Sequence, residues 1–220
     1  NILMKKVALI LSGCGVYDGS EIHEAVLMLY FLEKNGCSID FYAPNIVQTE
    51  VINHLTKEKS KETRNVLVES ARIARGDILD LSHFDPDLYE AVFFPGGFGA
   101  AKNFSNYATK HLEFSINDDI VNVIKDTHLA KKPIGFLCIT PVIAAKLFPS
   151  ARLTLGFSND SQETIDNLGA RGIQANFDDV VVDEMNLIAS TPAYMLDASI
   201  SEIAIGIEKI VKTVLALNEL

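Results

Sequence analysis

The stretch Pro133-Ile134-Gly135-Phe136-Leu137-Cys138-Ile139-Thr140-Pro141 carries the reading of the fold. It opens as a short apolar run, long enough for a buried strand, and stops at a proline. Val142-Ile143-Ala144-Ala145-Lys146-Leu147 then suits a helix, with Pro141 in the first turn, where its missing N–H is not needed. A strand that turns at once into a helix puts Cys138 on the connection, the geometry of a nucleophile elbow. The helix end offers free N–H groups and partial positive charge, so the pattern predicts a thiolate of lowered pKa at Cys138. A cysteine packed as a small, inert hydrophobe is the competing reading.

Toward the N-terminus, residues 7–11 form a continuous apolar run, as a buried parallel strand requires. The Gly-rich loop Ser12-Gly13-Cys14-Gly15-Val16-Tyr17-Asp18-Gly19-Ser20 follows, with Ser20 placed to cap a helix. Ile22, Ala25, Val26, Leu29 and Leu32 repeat at helical spacing, Gly36 closes the helix, and residues 39–43 make a second strand before Pro44. This strand–helix–strand opening predicts an α/β fold with a parallel sheet. The loop lacks the G-x-G-x-x-G order, and no suitable acidic residue follows the second strand, so it does not read as a dinucleotide loop. It reads instead as a backbone that passes close to a site at the carboxyl ends of the strands.

Residues 48–55 and 62–75 look helical. Lys57, Lys59, Lys61, Arg64, Arg72 and Arg75 there form the basic cluster of an acidic chain. That cluster is either a solvated face or a surface for an anion or partner, and the segment is long enough to be an insertion. Residues 91–94 are the next strand, running into Pro95-Gly96-Gly97-Phe98-Gly99-Ala100-Ala101-Lys102-Asn103. These glycines make either a tight turn or half of an oxyanion hole, with Gly97 N–H as one donor and Ile139 N–H as the other. Such a donor contributes about 3–4 kcal/mol of transition-state stabilisation where it has been removed.

Ile120, Val123, Ile124 and Thr127 mark a helix leading into the elbow strand. Short strands are expected at 152–155 and 173–175, with a helix at 161–168 closed by Gly169. Residues 180–182 and 187–189 read as a hairpin around Asp183-Glu184-Met185-Asn186. No His or Cys joins the acids there or at Asp178 and Asp179, so no metal site is expected. Ile200, Ile203, Ala204, Ile207, Ile210, Val211 and Val214 give a last helix that packs on the sheet.

The 220 residues suffice for one large domain, here 5–220, and the net charge of −10 argues against a nucleic-acid partner. No apolar run reaches membrane-span length, and no membrane partner is expected. Lys5-Lys6 precedes a stretch that reads as the first strand rather than a secretory signal. Either Met4 or the preceding Asn1-Ile2-Leu3 could open the natural chain. Cys14, Cys37 and Cys138 at unrelated spacings predict reduced thiols, in the cytoplasm or an equivalent reducing compartment.

Three motifs carry a resemblance. The run from Ser12 to Ser20 continued by Glu21-Ile22-His23-Glu24, the run from Pro95 to Asn103, and Thr191-Pro192-Ala193-Tyr194-Met195 resemble the ElbB family, known from enhanced lycopene biosynthesis and as isoprenoid-biosynthesis glyoxalases. That family sits in the PfpI and parkinsonism-deglycase superfamily, with the class I glutamine-amidotransferase fold. The resemblance implies a flavodoxin-like three-layer sandwich with a mostly parallel central sheet. It implies Cys138 as nucleophile and a partner carboxylate from the start of the first helix, Glu24, with Glu21 as second choice. It also implies a cofactor-free, lyase-type glyoxalase or deglycase acting on a small dicarbonyl or aldehyde, and a homodimer. The late strand end holds no His where amidotransferases have one, and Ile139 follows Cys138 where PfpI-type proteases have His. Peptidase or glutaminase activity is therefore in doubt, and His23 is the one histidine near the implied site. The rival reading is a non-catalytic redox or regulatory protein that acts through oxidation of a low-pKa Cys138, with Cys14 as resolving thiol.

Overall fold

The polypeptide, described over residues 4–219 of a computed structural model, is built on a seven-stranded sheet. Asn1-Ile2-Leu3 lie outside the described residues. In chain order the first elements are β1 (Lys5–Ile10), α1 (Ile22–Lys34), β2 (Cys37–Ala43), β3 (Val51–Ile52), β4 (Lys59–Ser60), α2 (Val66–Ile73), β5 (Leu79–Asp80) and β6 (Ala91–Phe94). Then come α3 (Phe98–Lys102), α4 (Tyr107–Lys110), α5 (Asp118–Leu129), β7 (Ile134–Leu137), α6 (Pro141–Leu147) and β8 (Arg152–Leu153). The chain ends with α7 (Asn159–Asn167), β9 (Arg171–Gly172), β10 (Val181–Asp183), β11 (Ile188–Thr191) and α8 (Ile200–Leu217).

The sheet order is β10-β11-β7-β6-β1-β2-β5, parallel throughout except for the edge strand β10. Side chains alternate across it with period two. Val7, Leu9 and Leu11 face a core completed by Ala25, Met28 and Leu32 of α1 and by Ile203, Ile207 and Val214 of α8. Ala8 and Ile10 face the opposite core, with Ile120 and Ile124 of α5 and Ile143 of α6. Helices on both faces of a mostly parallel sheet make the expected flavodoxin-like sandwich. The strand order reverses between β1 and β6, and such a switch point opens a crevice at the carboxyl ends of the strands.

Four local expectations are corrected. Residues 48–55 are not helical: Val51 and Ile52 pair with Ser60 and Lys59 in a hairpin. The Asn53 side chain turns it by accepting the N–H groups of Leu55 and Thr56, a competing local bond that asparagine offers. The helix expected at 62–75 starts only at Val66, because Asn65 caps it through the N–H of Val68. Glu21, not Ser20, caps α1; the Ser20 hydroxyl instead accepts the N–H of Ser12. The short strand expected at 173–175 lies at Arg171–Gly172, where it meets β8.

Candidate active site

The carboxyl ends of four adjacent strands, β11, β7, β6 and β1, deliver the four segments that make the site. The loop after β1 and the turn after β6 lock together backbone to backbone. Glu21 N–H donates to the Gly96 carbonyl (2.9 Å), Phe98 N–H to Val16 (2.8 Å) and Gly99 N–H to Gly19 (2.9 Å). The Asn103 amide reaches back to the carbonyls of Ser12 (2.9 Å) and Asp18 (3.0 Å). No side chain fits between these layers. A Cβ on Gly96 would lie 2.4 Å from Cys138 Cβ and 2.6 Å from Glu24 Oε1.

Cys138 sits between β7 and α6 with φ +61°, the left-handed backbone of an elbow. Its N–H is held by the Thr191 carbonyl (3.1 Å), and the Thr140 hydroxyl ties the turn to the Leu137 carbonyl (2.7 Å). The sulfur takes hydrogen bonds from the N–H groups of Gly97 and Ile139 and is hydrogen-bonded to Glu24. Glu24 is completely buried. Its Oε1 accepts the N–H of Gly96 (2.9 Å) and its Oε2 the N–H of Tyr194 (3.2 Å). The structure thus brings Cys138, Glu24, Gly97 and Ile139 together.

Burial, reinforced by the nearby Glu21, pushes Glu24 up to about 8. Burial and the adjacent Glu24 push the Cys138 thiol well above its ordinary value. This corrects the expected thiolate: two backbone N–H groups do not outweigh desolvation and a neighbouring carboxylate. The resting pair is a thiol beside a carboxyl group. The redox reading loses its low-pKa sulfur by the same argument.

A cavity of about 280 Å³ opens beside Cys138, lined also by Val16, Glu21, Gly97, Phe98, Ile139, Tyr194 and Met195. Glu21 is 8% exposed, and burial raises its pKa as well. Its Oε2 accepts the N–H of Glu24 (2.7 Å). His23 stands at the surface, with Nδ1 2.8 Å from the Tyr194 hydroxyl. Cys14 does not line the cavity; its charged neighbours are Arg72, Glu69 and Asp18. The three cysteines are free thiols.

Sequence reasoning missed Tyr194, which binds Glu24 through its backbone, His23 through its hydroxyl, and lines the cavity. The Thr191-Pro192-Ala193-Tyr194-Met195 motif was its signal: it carries the family resemblance and lacks a histidine, but neither reading gives Tyr194 a role. The basic cluster is partly spent on local pairs: Arg64 with Glu62 (3.0 Å) and Arg72 with Glu69 (2.6 Å). Asp183 is occupied by the backbone of Arg152 and by Asn186. Among the described residues, no three His, Cys, Asp or Glu side chains gather in a metal-holding group. Nor is any described helix long and apolar enough to cross a membrane.

No family model matches the chain. It is 43% identical over 223 residues to the rat "ES1 protein homolog, mitochondrial", a match covering 97% of this chain and 84% of that protein. It is 42% identical over 223 residues to the human "glutamine amidotransferase-like class 1 domain-containing protein 3, mitochondrial", covering 97% and 83%. Among solved structures, an isoprenoid biosynthesis protein with amidotransferase-like domain from Ehrlichia chaffeensis superposes with a TM-score of 0.90 at 36% identity, covering 97% of this chain and 99% of that one. Glyoxalase III from Candida albicans shares the fold, at a TM-score of 0.61 and 15% identity over 96% and 97%. The rat, human and zebrafish relatives are all named as mitochondrial proteins, which overturns the cytoplasmic expectation. Reduced thiols separate reducing from oxidising compartments and carry nothing that distinguishes one reducing compartment from another.

Proposed function

The chain belongs to the ElbB family of amidotransferase-like proteins, and on that premise we propose that it is a cofactor-independent glyoxalase or deglycase whose nucleophile is Cys138. The observation that carries this reading is the convergence on one sulfur of a buried carboxylate and two backbone N–H donors, at the wall of a small cavity. The fold accommodates such chemistry in a glyoxalase III, and it is the geometry at Cys138, not the fold, that supports the reading.

In the first step the sulfur attacks one aldehyde carbon of glyoxal or methylglyoxal. The thiol proton passes to Glu24 in its ionised form, which is populated as pH approaches about 8, and the carbonyl π electrons move to oxygen. The oxyanion forms beside the sulfur, within the field of the Gly97 and Ile139 N–H groups, and takes a proton from solvent in the open cavity to give a hemithioacetal. A carboxylate then removes the hydrogen of that carbon as a proton. The electron pair forms an enediol, and reprotonation at the neighbouring carbon gives a 2-hydroxy thioester. Water cleaves the thioester to glycolate or lactate: Glu24 gives its proton back to the sulfur, and the protons of the water pass to solvent, replacing the one the oxyanion took. One carbon is oxidised and its neighbour reduced, so no external oxidant is needed. A sugar-like adduct of a protein amine presents the same carbonyl and hydroxyl pair. Glutaminase chemistry is not supported, because no histidine lines the cavity.

The test is glyoxal consumption and glycolate formation by the wild type, Cys138→Ala and Glu24→Gln. Both variants are expected to lose about 10²-fold or more with folding intact. A wild type that does no better than an equal concentration of free thiol ends the reading.

A further inference from the structure

Glu24 is the carboxylate closest to the sulfur, and its surroundings limit what it does. It is 0% exposed and is not part of the cavity wall. Gly96 N–H holds one of its oxygens and Tyr194 N–H the other, and Cys138 is its remaining partner. The carboxylate packs directly against the Gly96 backbone, where a methyl group would lie 2.6 Å from its Oε1. Glu21, one turn earlier, stands the other way round. Its residue lines the cavity together with Cys138, Ile139 and Tyr194. Its Oε2 is anchored by the N–H of Glu24 at 2.7 Å, which fixes the carboxyl group over the first turn of α1. The shuttle between two substrate carbons needs a base that meets the substrate itself, while opening the thiol needs a base that meets the sulfur.

We propose that the two carboxylates divide the reaction: Glu24 takes the proton of the Cys138 thiol, and Glu21, at the cavity wall, moves the proton between the two carbons of the substrate. This assignment rests on the carbonyl reading above and deepens it. After addition, ionised Glu21 removes the C–H proton of the hemithioacetal as its electron pair forms the enediol. The carboxylic acid so made returns the proton to the neighbouring carbon, leaving Glu21 ionised and the thioester formed. The proton taken by Glu24 is a separate one, returned to sulfur when water releases the acid. The preferred substrates are therefore small carbonyl compounds whose two reacting carbons both fit against this wall, 2-oxoaldehydes rather than simple aldehydes.

The experiment compares two steps in wild type, Glu21→Gln and Glu24→Gln. Iodoacetamide reads the sulfur alone, and glyoxal turnover reads the whole cycle. Glutamine at position 21 keeps an oxygen to accept the Glu24 N–H, so the helix cap survives; circular dichroism and an undiminished alkylation rate check this. The expected result for Glu21→Gln is Cys138 alkylation at the wild-type rate or faster, since loss of the Glu21 charge favours ionised Glu24, with turnover reduced about 10²-fold. The Cys138–glyoxal adduct should then accumulate in intact-mass spectra. Glu24→Gln should slow alkylation and turnover together, without the adduct. Wild-type turnover that survives in Glu21→Gln overturns the assignment alone, as does a Glu21→Gln variant whose alkylation falls as far as its turnover. A wild type that alkylates but consumes no glyoxal overturns the carbonyl reading and this assignment with it.

Discussion

The turn after β6 and the hairpin β3–β4 both follow the carboxyl end of a sheet strand, and they are held in opposite ways. In the turn, Pro95, Gly96 and Gly97 are buried, and backbone meets backbone with no room for a methyl group. At the hairpin tip, residues 53–59 are exposed and are ordered chiefly by the side chain of Asn53. The hairpin touches the site's outer loop through Ile52 N–H to Asp18 (2.8 Å), through Tyr17 N–H to the His54 ring (3.2 Å), and through the Tyr17 ring, which packs on His54 and lies under Lys57. Space dictates the residue in the first region. In the second, turn chemistry and water do so, and many residues would serve.

Gly96→Ala should give the largest effect. Its methyl would press on Cys138 and Glu24, costing about 2–3 kcal/mol in urea unfolding and abolishing glyoxal turnover. An alanine variant as stable and active as the wild type would show that the turn yields, and the contrast would collapse. Glu24→Gln probes the same region through pH. Glu24 ionises near 4.5 when unfolded and near 8 when folded. Its contribution is therefore fully present below about 4.5 and is lost as pH rises through about 8, a decline on the order of several kcal/mol. The glutamine variant should lack that decline in urea titrations between about pH 5 and 9, roughly the span of the linkage window. Parallel pH profiles would mean that Glu24 is not held protonated. Turnover by wild type should instead rise through the same range, since the ionised carboxylate accepts the thiol proton. Asn53→Ala should have the smallest effect: about 0.5–1 kcal/mol from the lost turn bonds, with glyoxal turnover unchanged. A large loss of turnover there would make the hairpin part of the site.

The same division explains what the sequence made legible. Residues 7–11 and 134–137 read as buried strands because parallel strands covered on both faces are continuously apolar. The elbow was legible from the strand, cysteine and proline in a row, and Gly36 does take the left-handed backbone expected after α1. The Gln48 to Leu55 segment misled because its apolar residues fit a helical spacing, while Asn53 supplied a stronger local alternative. The partners of Glu24 were not legible at all. Gly96 lies 72 residues from it and Tyr194 170 residues from it, and no periodicity spans such distances.

By itself the sequence determined the α/β class, the position of the nucleophile elbow and the glycine turn beside it, because those follow from periodicity and turn chemistry within a few residues. Only the tertiary structure decided the protonation of the site. A cysteine at a strand–helix junction favours a thiolate locally, yet folding buries it against a carboxylate contributed by α1, and desolvation reverses the sign. Which of the two glutamates, the N-cap Glu21 or the first-turn Glu24, meets the sulfur and which meets the cavity was likewise decided by packing, since they stand only three residues apart at the start of one helix.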